Sequence, residues 1–238
     1  MIDLDNTDLQ GATNNDFKRL YLKDDPPGNE YKLHSCGYYE VDEFQKKVEH
    51  LPNTFSTLSM NIRSLPGKMT ELNDLIAQLN YKTFKFSIIC LQEVWNIPEY
   101  MNLNLNGYHP PVYKLRDPKN KRVSNLGGGI GIWVDTNEDF QVIDKFSIFQ
   151  EGLLESCFIK LINKNGFKIV GNIYRPPGSN IDLFNNTIDN LLTSISLDPE
   201  YKKAEVVIQG YININLLNFE NHTPTSDYLD ILLKHGQL

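Results

Sequence analysis

From residue 54 onward the apolar positions change repeatedly between two periods. TFSTLSMNI reads as a strand ending near Asn61, and Met69, Leu72, Leu75, Ile76 and Leu79 then recur at helical spacing. FSIICL, residues 86–91, is a continuous apolar run, as expected of a strand buried on both faces. After a long loop, Gly127-Gly128-Gly129 lead into the strand IGIWV. CFIKLI and FKIVGNIY form two further strands joined by Asn163-Lys164-Asn165-Gly166, where the Asn-Gly pair signals a hairpin. Residues 181–195 predict a second helix with Ile181, Phe184, Ile188, Leu191 and Ile195 on one face and a capping box from Ser179 and Asp182. AEVVIQ, 204–209, predicts another buried strand. TSDYLDILLKHG, 225–236, predicts a third helix with Thr225 as N-cap and Gly236 past its end.

Strands joined by hairpins and strands joined by helices, mixed in this way, predict an α/β domain with mixed sheets and helices outside. No segment repeats at a fixed period, which excludes solenoids and propellers. The first fifty residues differ. Residues 1–30 are rich in Asp, Asn and Gly, show no period and read as disordered or as a linker. YKLHSCGYYEVDEF follows; its His34 and Cys36 lack a second pair at zinc spacing, so local packing is the simpler role. The expected division is a disordered or weakly ordered acidic leader over 1–50 and one domain over 51–238.

Composition adds limits. The chain has 238 residues, 40% hydrophobic and 22% charged, ordinary for a globular protein. No apolar run is long enough to cross a bilayer, so no membrane partner is expected, and the polar N-terminus resembles no targeting peptide. Three widely spaced cysteines, Cys36, Cys90 and Cys157, suit reduced thiols in an intracellular compartment, nuclear or cytoplasmic. The net charge is −7, of which −5 lies in residues 1–50 (6 Lys+Arg against 11 Asp+Glu). Overall charge therefore does not announce a nucleic-acid partner. A local stretch does offer one: Lys114, Arg116, Lys119, Lys121 and Arg122 crowd a loop containing one acid, Asp117. It reads as a solvated loop or as a loop that touches phosphates.

Candidate chemistry gathers where strands end. Asn61 follows the first strand, Gln92-Glu93 the second; Tyr174-Arg175 closes FKIVGNIY; Asn213 and Asn215 follow AEVVIQG. Strand C-termini are where sites form in open α/β sheets. Taken in order, SMNIRSLPG, IICLQEVW, IYRPPGS and VVIQGYININLL resemble the endonuclease/exonuclease/phosphatase superfamily, and most closely the apurinic-like endonuclease domain of LINE-type non-LTR retrotransposons. The resemblance covers about residues 54–236, and YKLHSCGYYEVDEF resembles the short segment that precedes this domain. It implies a four-layer α/β sandwich, two mixed β-sheets packed face to face between helices, with its last strands missing here. It also implies a catalytic set of Asn61, Glu93, Tyr174 and Asn213. Glu93, helped by Asn61, would hold Mg2+, with Mn2+ as a substitute; Tyr174 would orient a phosphate with Arg175 beside it. DNA is the implied partner, with a downstream reverse transcriptase in an intact element. A hard cation on oxygen ligands suits a phosphodiester because the transition state gathers negative charge.

Two departures from the family pattern weaken the catalytic expectation. The family's Gly-Asp-aromatic-Asn motif reads Gly210-Tyr211-Ile212-Asn213, so Tyr211 stands where a proton-handling carboxylate belongs. A phenol with a pKa of about 10 is no base near neutrality. The family also continues past the third helix to a closing Asp-His motif, which none of the five histidines matches; an exposed sheet edge and low stability are expected with it. Three functions follow in order: an impaired metal-dependent endonuclease that nicks DNA, a non-catalytic nucleic-acid-binding remnant, and, least supported, a phosphoesterase on small or lipid phosphates.

Overall fold

The computed structural model describes residues 39–49, 55–80, 84–116, 127–164 and 166–237. The basic residues Lys119, Lys121 and Arg122, and the disordered segment expected over 1–30, lie outside this set. The chain divides into two compact units, residues 39–213 and a smaller one containing residues 214–238.

In the larger unit, helix α1 (Val41–Val48) lies within the stretch expected to be leader. Glu40 and Glu43 close it with a capping box, and Val41 and Phe44 pack against the core. This helix was not expected from the sequence, because its apolar positions are too few to show a helical period. Strand β1 (Thr57–Asn61) leads into α2 (Leu65–Leu79), and β2 (Ile88–Gln92) returns parallel to β1. Strands β3 (Val112–Lys114) and β4 (Ile130–Val134) complete a sheet of order β1-β2-β4-β3.

The second sheet holds β5 (Asp139–Val142), β6 (Phe149–Gln150), β7 (Leu154–Asn163), β8 (Gly166–Tyr174) and β9 (Glu205–Tyr211), with β8 and β9 parallel across helix α3 (Ile181–Leu197). Each sheet thus contains one helix-linked parallel pair extended by antiparallel strands. The expected hairpin is present, with Asn163 opposite Gly166.

The strand period explains the layers. In β2, Ile89 and Leu91 join Trp133 and the α2 residues Leu65, Leu72, Ile76 and Leu79 in one cluster. Ile88 and Cys90 point the other way and meet Cys157, Ile159, Leu161 and Val170 of the second sheet. The result is two mixed sheets packed face to face, with α2 on the outer face of the first. Asn172, fully buried between the sheets, donates from Nδ2 to the carbonyls of Leu91 (2.9 Å) and Gly131 (3.0 Å) and accepts from Gln92 Nε2 (2.7 Å).

Three local expectations change. Strand β9 is half-exposed, not buried, because it ends its sheet's order. Helix α3 is capped by Asn180, whose Oδ1 accepts from Leu183 N at 2.8 Å; Ser179 does not cap it. In the smaller unit, helix α4 (Thr223–Lys234) begins two residues earlier than expected, with His222 as N-cap and Pro224 in its first turn, a position proline favours.

Candidate active site

The register of the strands brings the polar rim together. Asn61 and Gln92 are partners at the ends of β1 and β2, so Glu93, the next residue, starts level with Asn61. Asn61 Nδ2 donates to Glu93 Oε1 at 2.8 Å. From the other sheet, the Tyr174 hydroxyl donates to the same oxygen at 2.9 Å. Trp95 Nε1 approaches Oε2 at 3.5 Å. One carboxylate is thereby held by groups from β1, β8 and its own loop. Burial, the Glu93 charge and the bond to Glu93 all push the Tyr174 phenol up, so it remains a neutral donor.

The backbone here is unusual. Among the described residues, the non-glycine residues with positive φ are Arg63 (46°), Ser64 (84°), Glu93 (55°), Trp95 (60°) and Asn213 (52°). All of them follow β1, β2 or β9 at this rim. Such conformations are costly and persist where surrounding structure over-determines them, often at functional sites. The bracing is visible: Ile62 N bonds to Gln92 O, Ser64 N to Glu93 O and Leu65 N to Val94 O at 2.8–3.1 Å.

Asn213 enters through Arg175. Its Nδ2 donates to the Arg175 carbonyl at 2.7 Å, and Arg175 Nη1 donates to the carbonyls of Ile212 (3.1 Å) and Asn213 (2.8 Å). Arg175 Nη2 bonds to the Ser179 carbonyl, the guanidinium carbon lies 5.8 Å from the Phe184 ring centroid, and the residue is only 3% exposed. Burial lowers its pKa. The expectation that Arg175 binds nucleic acid meets a side chain committed to bracing the loop after β9. Gly210 (φ 151°) completes that loop, since a Cβ there would overlap the Ile173 carbonyl.

Tyr211 pairs in register with Tyr174, and parallel partners project to the same side. It is 41% exposed. The two other basic candidates among the described residues are engaged: Lys114 Nζ donates to Ser147 O at 3.2 Å and lies 4.0 Å from Asp144. Arg116 Nε bonds to Glu155 Oε1 at 2.6 Å. Glu155 itself escaped sequence reasoning, because a lone Glu inside a strand carries no motif; it is fully buried. Burial pushes its carboxyl up, while Arg116 and the Gly129 N–H pull it back.

Among the described residues no group of three or more His, Cys, Asp or Glu converges. His109 Nε2 lies against the Glu138 carbonyl, and His222 and His235 cap the two ends of α4. A divalent cation nonetheless fits Glu93. Its Oε2 has a long contact with Trp95 at 3.5 Å, and Asn61, whose Nδ2 donates to Oε1, carries a second side-chain oxygen on the same amide. Magnesium is commonly held by one or two carboxylates with water completing the shell.

No family model matches the chain, and no curated protein sequence matches it. Solved structures do. The endonuclease domain of TRAS1, a telomere-specific non-LTR retrotransposon, is 13% identical over 77% of this chain and 71% of its own, with a TM-score of 0.52. D. rerio TDP2 complexed with single strand DNA product is 15% identical, covering 79% and 66%, with a TM-score of 0.49. The 3′ phosphatase NExo from Neisseria bound to product DNA hairpin is 15% identical, covering 76% and 71%, also at 0.49. The two mixed sheets, their helix-linked parallel pairs and the likeness to the TRAS1 domain together identify the endonuclease/exonuclease/phosphatase fold.

Proposed function

We propose that this chain is a LINE-type DNA endonuclease domain whose cation- and phosphate-holding half is intact and whose proton-handling half is impaired. One observation carries the reading: Glu93 collects Asn61 and Tyr174 from two different sheets at the strand ends. When bound, Mg2+ or Mn2+ supplies charge neutralisation for a phosphodiester under attack. Glu93 holds the cation with Asn61 as neighbour, Tyr174 fixes the Glu93 oxygen and faces the phosphate, and Asn213 supplies an amide at the β9 end. Tyr211 occupies the position where a carboxylate would accept the proton of attacking water, and a neutral phenol does not do so. A reverse transcriptase working downstream belongs to this same reading.

The second reading, nucleic-acid binding without cleavage, is favoured by Tyr211 itself. An aromatic that is 41% exposed beside a cation site offers a face for base stacking.

Relaxation of supercoiled plasmid with Mg2+ tests both. Tyr211→Asp should accelerate nicking by roughly 10²–10⁴-fold over the unmodified chain. Adding Glu93→Ala to that variant should remove the gain. Nicking by the unmodified chain at full rate would show that Tyr211 is no impairment. Plasmid binding without nicking by either protein would favour the second reading.

A further inference from the structure

The Glu93 loop is held from behind by a buried ion pair that the proposed chemistry does not use. Glu155 accepts from Arg116 Nε on one oxygen and from Gly129 N on the other, both at 2.6 Å. Gly129 O in turn accepts from Val94 N at 3.2 Å, and Gly128 O from Trp95 N at 2.8 Å. Those two amides follow Glu93 directly, in the stretch where Glu93 and Trp95 adopt positive φ. The register adds a second route: Glu155 is the β7 partner of Tyr174, whose hydroxyl sits on Glu93. Gly128 (φ 79°) leaves the space that Arg116 occupies, since a Cβ there would overlap the guanidinium.

We infer that Arg116 and Glu155 are positioning residues that fix the Glu93 carboxylate through the main chain of Gly128 and Gly129. A fully buried carboxylate is costly and is tolerated here because both its oxygens have donors. The pair's place, one peptide removed from the loop bearing the cation ligand, matches the way outer partners orient a metal-holding group. The inference rests on Glu93 being that ligand.

Two readouts test it on the full chain. Mn2+ affinity is measured by titration. The environment of Trp95 is measured without metal by acrylamide quenching, since the only other tryptophan, Trp133, is fully buried. Glu155→Gln keeps the shape but can satisfy only one of the two donors; it should weaken Mn2+ binding about threefold and raise quenching. Glu155→Ala and Gly128→Ala should weaken binding about tenfold or more. Lys85→Met, which breaks the 2.6 Å pair with Asp135, is the control and should change neither readout. A folded Glu155→Gln protein with Mn2+ affinity within about twofold of the parent and unchanged quenching overturns the inference. If the unmodified chain binds no Mn2+, the cation reading fails. Quenching then decides alone whether Glu155 holds the loop, and unchanged quenching overturns the inference again.

Discussion

The residues at the rim divide by what their side chains are free to do. Glu93 offers one weakly engaged oxygen and Tyr211 an exposed ring, whereas Arg175 places both terminal nitrogens, and Arg116 its Nε, on protein acceptors. Arg175→Met should therefore destabilise the fold by about 2–4 kcal/mol, because it removes a buried guanidinium that donates to the part-buried carbonyls of Ile212 and Asn213. Denaturant unfolding checks this. The same variant should leave the salt slope of DNA binding unchanged; a slope reduced by about one would mean that Arg175 contacts a phosphate. Glu93, Asn61 and Tyr174 were legible because polar residues after apolar strands stand out. The internal use of both arginines was not legible, since sequence shows a charge but not the carbonyl or carboxylate it will find.

At the scale of elements, the parallel pair β8–β9 ends in a geometry that only glycine permits. Gly210→Ala would drive a Cβ into the Ile173 carbonyl, and the end of β9 must move to relieve it. Loss of about 3 kcal/mol or more in thermal or denaturant stability is expected, with weakened cation binding as Asn213 shifts. Asn172→Ala should cost about 2–3 kcal/mol, because it removes the Asn172 donors to the Leu91 and Gly131 carbonyls between the sheets and one acceptor of Gln92 Nε2. Strand β2 was readable from a continuous apolar run, β4 as the strand after the glycine run, and β7 and β8 as strands on either side of an Asn-Gly hairpin signal. Strands β3 and β5 were not: they are short, and their exposed positions break the alternation. The N-caps slipped, by one residue at α3 and three at α4, because Ser179 and Thr225 are good caps that the fold did not use.

At the largest scale, each of the two apolar clusters holds a buried tyrosine, Tyr108 under helix α2 and Tyr174 between the sheets. Tyr108 donates to the Phe86 carbonyl at 3.1 Å, and burial pushes its phenol up to about 12. Tyr174 is pushed up as well. A raised pKa means that the fold favours the neutral phenol. The stability involved is intact below the ordinary value of about 10 and is lost as pH climbs from there towards 12. Denaturant midpoints should fall across that window, and Tyr108→Phe should flatten the fall; an equal fall in both proteins would assign it elsewhere.

The proposed function makes Glu93, at the rim where strand ends of both sheets meet, the cation ligand. Mn2+ binding followed by electron paramagnetic resonance addresses this most directly. A single site per described domain is expected in the unmodified chain, with affinity reduced about 10²-fold or abolished in Glu93→Ala while the fold persists. Equal Mn2+ binding by the two proteins would contradict the account.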